Sequence, residues 1–316
     1  MIMAITLKNI SRICGVDIST VSRALRNDLR VKPETRRFIQ EKARELGYQP
    51  NLAARNLVSG KTLNLWMILS DLNNPVDREP AQFLSRSLHI KGYELLITLY
   101  HADAKKFNHL LSRLSQHVAD GAFIIPSLEY GAPAYLPLFQ NNFPLVFIDR
   151  RPLFDGCTTV TTDNEAAVID LLRKCLDAGA DRFIIIKESD NSVSRLRFKT
   201  AIEFLTRNNS AFIQADTVQE LPEEFLTGNV AMLGSSGLDI EKHFQDFFSK
   251  HRPPLLISAS FDSPPLNTAD FNRIFVVRQD FKSIAETAAD LMLEKISGNH
   301  QAETVAIPCK EIIEIK

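Results

Sequence analysis

The chain has little of what organises secreted, membrane-bound or metal-centred proteins. Its four cysteines, Cys14, Cys157, Cys175 and Cys309, are scattered, with no CxxC pair and no Cys/His ligand spacing. That pattern excludes a disulfide framework or a zinc site as the organising device, and is expected of reduced thiols in a cytoplasm. No apolar run approaches the roughly 18 residues that a membrane helix needs. Residues 1–4 lead directly into a helical pattern, so no secretory signal is expected. Walker A, GxGxxG, HExxH and GxSxG patterns are all missing. The histidines, among them His101, His109 and His117, form no triad pattern, so no enzyme, catalytic residue, metal or cofactor is expected.

A strong net charge is missing too, since the total is −1. That near-neutral total hides an asymmetry. Residues 1–61 hold 12 Lys+Arg against 5 Asp+Glu, a net of +7, which leaves residues 62–316 at −8. A basic segment on an acidic body points to a polyanion as the partner of that segment.

The basic segment carries the spacing of three short helices. Ile10, Ile13 and Cys14 fall on one helical face, Gly15 breaks the helix, and Asp17 can cap a second helix with Val21 and Leu25 on its inner side. Cys14 there is expected to act as a small hydrophobe. A third helix starts at Pro33, buries Ile39, Ala43 and Leu46, and ends at Gly47. Its N-cap, Lys32, forgoes roughly 1 kcal/mol relative to Ser or Asp. Two short helices joined by a tight Gly-containing turn make a helix-turn-helix, whose second helix enters the major groove. Its outward residues Ile18, Ser19, Thr20, Ser22 and Arg23 are then candidate contacts, with Arg23 suited to a bidentate pair with guanine. The competing reading is a solvated face on an ordinary helical hairpin.

Thr6-Leu7-Lys8, Gly15-Val16, Ser19-Thr20-Val21-Ser22-Arg23-Ala24-Leu25, Glu34-Thr35-Arg36, Leu46-Gly47-Tyr48, Pro50-Asn51 and Ala53-Ala54-Arg55 through Leu57 form a dense, gap-free run. This run resembles the head of the lactose-repressor (LacI/GalR) family of bacterial transcription regulators. The resemblance implies that residues 51–60 form a hinge helix on DNA. There two hinges pair in the minor groove, and Leu57 from each chain wedges into a base step. An apolar wedge of that kind can kink a duplex, and so short a helix is marginal until something stabilises it. The alternative for Leu57 is packing against the body. Thr6, Asn27, Tyr48, Asn51, Ala54 and Arg55 are further DNA contacts by the same resemblance.

Beyond residue 62 short apolar runs alternate with helical stretches. Strands are expected at 65–70, 93–100, 121–126, 145–149 and 158–161, with helices at 80–90 and 105–118. A second series follows: helices at 165–178, 194–208 and 238–249, and strands at 182–187, near Phe212, at 230–233 and at 255–259. Such alternation means parallel sheets with right-handed crossovers, and two series suggest two α/β lobes. The fold class is therefore α/β behind a small helical head.

Lys91-Gly92-Tyr93, Val118-Ala119-Asp120-Gly121, Ile148-Asp149-Arg150, Thr162-Asp163-Asn164-Glu165-Ala166, Phe261-Asp262 and Val277-Arg278-Gln279 resemble the same family's sensor domain, which is like periplasmic sugar-binding proteins. The resemblance implies a helix-turn-helix head (1–49), a hinge helix (50–61) and a two-lobed body (62–316). Lobe 1 would comprise about 62–162 and 281–297, and lobe 2 about 163–280 and 298–316, including the strand near Ile307. Asn74, Arg150, Arg195, Arg197 and Asp262 are the candidate ligand residues.

The sensor departs from the family pattern at several positions. Asn74-Pro75 is followed by Val76-Asp77 where two aromatics are usual, and Arg195, Arg197 and Ser194 compete for the place of a ligand-clamping arginine. Gly234-Ser235-Ser236-Gly237 stands where a hydroxyl-gripping Asn-Asp pair is usual; it reads as a strand-to-helix turn, with a phosphate cradle as the alternative. Residues 208–230 are short for a full strand-helix unit. Glu223-Glu224 after Pro222 suits an acidic first helical turn. The expectation is a cytoplasmic homodimer on a palindromic double-stranded operator, tetramers left open, modulated by a small polar metabolite such as a sugar. The alternatives are a body that only dimerises and a metabolic α/β enzyme with an appended head.

Overall fold

The computed structural model describes residues 5–49, 60–116, 118–127, 131–186, 191–215, 221–237, 240–241 and 253–316. The chain divides into two compact units, Met1–Lys61 and Thr62–Lys316.

In the first unit α1 (Leu7–Cys14), α2 (Ile18–Leu25) and α3 (Pro33–Glu45) enclose a core of Ile10, Val21, Ala24, Val31, Ile39 and Ala43. Thr6 caps α1 through a reciprocal pair with Asn9, and Gly15 ends it at φ 65, a left-handed turn that only glycine adopts cheaply. Asp17 caps α2, whereas Lys32 gives α3 no side-chain cap. Cys14 and Leu46 pack at the edge of the core. Ile13, expected inside, is 53% exposed: α1 is two turns long and its buried stripe is filled by Ile10.

The second unit consists of two similar lobes. The first sheet has the order β11 (304–307), β5 (159–162), β4 (145–148), β3 (121–124), β1 (64–69), β2 (94–99), and the second β12 (311–314), β10 (273–278), β9 (255–261), β8 (229–233), β6 (182–185), β7 (211–214). In lobe 1, β1 (Asn64–Leu69), β2 (Glu94–Leu99), β3 (Gly121–Ile124), β4 (Leu145–Ile148), β5 (Thr159–Thr162) and β11 (Thr304–Ile307) are all parallel. In lobe 2, β6 (Arg182–Ile185), β7 (Ala211–Gln214), β8 (Asn229–Leu233), β9 (Leu255–Phe261) and β10 (Arg273–Arg278) are parallel, and β12 (Glu311–Glu314) runs antiparallel to β10. The central strands read as near-continuous apolar runs because helices and loops cover both faces. Each sheet accordingly has a core on either side, Met67, Phe123 and Val146 against Ile68, Phe107 and Phe147 in lobe 1.

Helices α4 (Pro75–Ile90), α5 (Ala104–Leu114) and α6 (Ala132–Gln140) belong to lobe 1, and α7 (Asn164–Asp177), α8 (Ser192–Arg207) and the four-residue α9 (Glu224–Thr227) to lobe 2. After β10 the chain returns as α10 (Phe281–Ile296), whose Ile284, Ala288 and Met292 join the lobe 1 core. Three crossovers thus join the lobes, near 162–163, 279–280 and 308–310.

Several expectations need correction. The strand near Ile307 pairs with β5 in lobe 1, Thr304 opposite Thr159, so residues 298–307 do not belong with lobe 2. Pro308 then interrupts pairing, and only the last short strand joins lobe 2; the two four-residue strands are too brief to be separated by periodicity. The helix expected from residue 80 starts at Pro75, capped by Asn74, with Pro80 accommodated inside it. Helix α6 was hidden by Pro133 and Pro137, and β10 had been noted only through its last residues. The helix expected at 238–249 falls mostly outside the described residues.

A candidate nucleic-acid interface and an interlobe cleft

On the head, the outward side of α2 presents Ile18 (42% exposed), Ser19 and Arg23 to solvent, with Thr20 and Ser22 half-buried beside them. Ser19 donates its backbone N–H to Asp17 at 3.5 Å, which leaves its hydroxyl close to the same carboxylate at 3.4 Å. The guanidinium of Arg23 has no hydrogen-bond partner among the described residues, unlike Arg30, which is held by Asp28 at 2.6 Å. That clasp, both the side-chain and backbone N–H donors of Arg30, holds the Asp28 carboxyl well below the usual range.

Three further residues expected at DNA are partly committed to the fold. Thr6 spends its hydroxyl on the α1 cap. Asn27, at φ 60, accepts from Gln40 Nε2 at 2.7 Å, a bond that ties α2 to α3 and leaves its amide nitrogen for other contacts. Tyr48 is half-buried against the head core, and burial raises its phenol. Asn51, Ala54, Arg55 and Leu57 lie outside the described residues.

In the body, the carboxyl ends of the parallel strands of both lobes face a cleft of about 680 Å³, within the roughly 300–1,000 Å³ of small-molecule sites. Such ends, where strand order reverses, are where open α/β sheets hold ligands. The lobes contribute matching parts. Asp149 follows β4 at φ 64 and Asp262 follows β9 at φ 60, and each donates its N–H to the neighbouring strand, to Val160 and Val277, at 2.9 Å. Left-handed backbone at two aspartates in equivalent places is strain retained to aim them.

The candidate ligand residues divide. Asn74, Arg150, Arg197 and Asp262 line the cleft, whereas Arg195 is exposed on the outer side of α8 and does not. Asn74 Oδ1 caps α4 through Val76 N–H at 3.0 Å. Arg150 reaches the Pro126 carbonyl at 3.4 Å and lies 3.6 Å from Asp149. Arg197 donates to Asn164 Oδ1 at 2.7 Å and places its Cζ over the Phe261 ring, 3.4 Å from the centroid. Burial lowers its guanidinium to about 10, against the pull of Asp262 and Asp149, and it stays charged at neutral pH. Burial pushes the Asp262 carboxyl up to about 6, opposed by Arg197 and by a hydrogen bond from Gln279 Nε2 at 2.7 Å.

Crossover residues are wired to this cleft. Thr162 donates to Gln279, which bonds Asp262, while Thr161 donates to the Asp149 carbonyl at 2.7 Å and Asn164 bridges Thr162 to Arg197. Across the cleft mouth the Arg151 N–H meets Ser192 Oγ at 3.2 Å. Asp71, Ser127, Asn191 and Gln279 also line the cleft and were not among the expected ligand residues. Gln279 stood in a segment that resembles the family's sensor domain; for Asp71, Ser127 and Asn191 the only sequence signal was position after a strand. Ser235 and Ser236 line it too, in a turn held tight because a Cβ on Gly237 would lie 2.1 Å from Pro265 N.

The fold and these two surfaces define a DNA-binding head joined to a two-lobed body of the periplasmic-binding-protein kind. Residues 6–51 match the model described as "Bacterial regulatory proteins, lacI family". The chain is 24% identical over 319 residues to the ribose operon repressor of Escherichia coli K12, covering 92% of this chain and 93% of the relative. It is 28% identical over 177 residues to catabolite control protein A of Priestia megaterium, covering 56% of this chain and 53% of the relative. A solved lac repressor dimer bound to operator and an anti-inducer superposes with a TM-score of 0.77 at 18% identity, covering 99% of this chain and 98% of the other. A Cra regulator from Pseudomonas putida in complex with fructose 1-phosphate does so at 0.64 and 20%, covering 80% and 98%. Residues 6–51 thus match the lacI-family head, the fold is that of LacI-type repressors, and the relatives named here are transcriptional regulators.

Proposed function

We propose that the protein is a repressor that binds a palindromic operator as a homodimer and is modulated by a small polar metabolite held between its lobes. The observation that carries the DNA reading is the α2 face, where Ile18, Ser19 and Arg23, the last with no side-chain hydrogen bond among the described residues, are exposed on a segment with net charge +7. Arg23 would read guanine, Ser19 and Ser22 a base edge or phosphate, and Ile18 a thymine methyl. Thr6, Thr20, Asn27 and Tyr48 would position the head, and Asn51, Ala54, Arg55 and Leu57 would act in the minor groove.

Pairing is supported by β2, which among the described residues is an edge strand bonded only to β1, and whose Leu96 and Ile97 are 43% and 42% exposed. An unprotected apolar edge of this kind invites a second chain. Modulation is supported by the polar cleft and its wiring to the crossovers, because a ligand that prefers one lobe arrangement shifts the equilibrium between arrangements. Selection of binders from a random duplex pool with the full-length protein tests the reading. An imperfect palindrome with half-sites at least about one helical turn apart is expected. Recovery of unrelated sequences, bound only at low salt, would contradict it.

A further inference from the structure

The turn that follows α2 carries an ion pair that the DNA contacts named so far do not use. Its backbone is fixed from both neighbouring helices. Asp28 donates its N–H to the Arg23 carbonyl at 3.0 Å, and its own carbonyl accepts from Val31 N–H at 3.1 Å and from Arg36 Nη1 of α3 at 3.3 Å. Gln40 of α3 binds the Ala24 carbonyl at 2.9 Å and Asn27 at 2.7 Å. On this base the Asp28 carboxylate accepts the Arg30 backbone N–H at 3.0 Å, its Nε–H at 3.0 Å and its Nη2–H at 2.6 Å.

A carboxylate in this place works against attraction to a polyanion. The segment carries a net +7. Arg30 lowers the Asp28 carboxyl most and Arg23 adds to the fall, so the pair stands beside the arginine assigned to base reading. An exposed ion pair contributes little to stability, so the fold gains little from this one. Its geometry has another consequence. A guanidinium offers five N–H donors in a rigid planar fork. Asp28 takes the Nε/Nη2 edge, and the Nη1/Nη2 edge makes no hydrogen bond among the described residues, on a side chain that is 74% exposed. Fixing one edge aims the other, which reduces the side-chain entropy lost when that edge meets a partner.

On the reading of α2 as the helix that enters the major groove, we propose that Arg30 is a further DNA contact, binding a backbone phosphate through its free edge, with Asp28 as its positioning residue. The N-terminal residues of the second helix meet the base edges. A turn beyond its C-terminus is therefore placed for the phosphates that fix register. On the operator the aimed fork meets its phosphate at small entropic cost. Elsewhere the register is loose and Asp28 offsets the arginine's charge. Asp28 thus widens the gap between specific and non-specific affinity, the quantity that decides site occupancy among many competing sequences.

The test uses the full-length protein, the selected operator and a scrambled duplex across a salt series, with the fold of each variant checked by circular dichroism and melting. Arg30→Ala should weaken operator binding and lower the slope of log affinity against log salt by about one. Asp28→Asn, which keeps an acceptor for the Arg30 N–H, should tighten the scrambled duplex more than the operator, so that the ratio of affinities falls roughly threefold or more. Arg30→Lys keeps the charge without the fork, and should retain the salt slope while losing the same ratio. When Asp28→Asn is added to Arg30→Ala, both duplexes should shift by one factor.

Unchanged affinity and slope in Arg30→Ala would overturn the contact. A loss confined to the operator at unchanged slope would make Arg30 a base contact and overturn its assignment to phosphate. Equal tightening of both duplexes in Asp28→Asn would reduce Asp28 to a repelling charge, and a ratio that falls as far without Arg30 would place the effect in the turn itself; either result overturns the positioning role. Arg23→Ala is the control. If it shows that α2 reads no bases, the salt slope of Arg30→Ala on the selected duplex still decides whether Arg30 meets phosphate, so the two failures are told apart.

Discussion

A single side chain, Asp77, links the stability of the body to pH. Its carboxyl ionises near 7 in the folded chain, against 3.8 when unperturbed, so the folded state holds that proton more tightly than the unfolded state. The sign of the linkage follows. Its favourable contribution is fully present below about pH 4 and is lost as pH rises toward 7. Asp262, pushed up to about 6, acts in the same direction. Asp77→Asn should therefore stabilise the body at pH 8 by as much as a few kcal/mol, while changing it little at pH 4. The amino-terminal turn of α4 favours the ionised form and reduces the gain. Urea unfolding at the two pH values checks this; an equal effect at both would show that the Asp77 carboxyl is not held protonated by burial.

At the scale of elements, the alternation of apolar runs and helical stretches made both lobes legible, because strands covered on two faces must be apolar throughout. Helices broke that legibility where proline stood inside them. Pro80 and Pro137 are tolerated within α4 and α6, yet read from sequence they mark a start or a break. The cleft was partly legible: Arg150 and Asp262 could be placed by likeness. Asp71 could not, because its place in the cleft is a consequence of tertiary packing. Arg195 and Arg197 were indistinguishable until α8 turned one outward and the other onto Phe261. The β2 edge was recognisable as a strand but not as an unpaired one. If β2 joins two chains, Leu96→Asp with Ile97→Asp should weaken the dimer at least 100-fold, since each charge would be desolvated without a partner. Sedimentation velocity across a dilution series measures this, and a dimer of unchanged strength would place the pairing surface elsewhere.

For the molecule as a whole, an effector held in the cleft would be linked to the operator by one coupling free energy, so each ligand would alter the other's binding by the same factor. Couplings of about 1–3 kcal/mol correspond to changes of roughly 5- to 150-fold. The hydrogen bonds that run from Asp149 and Asp262 through Thr161, Thr162, Asn164 and Gln279 place the crossovers under the influence of whatever occupies the cleft. The acidic body carries a net −8 and the head +7, so non-specific attraction to DNA belongs to the head.

Base reading by α2 is tested most directly at Arg23. Affinity should be measured by fluorescence anisotropy for the wild type and Arg23→Ala, on the selected operator and on a scrambled duplex, across a salt series. Loss of the arginine should weaken operator binding by about 1–3 kcal/mol, roughly 5- to 150-fold, while binding to the scrambled duplex and its salt dependence stay close to wild type. Equal losses on both duplexes would make Arg23 a phosphate contact and contradict base reading by this helix.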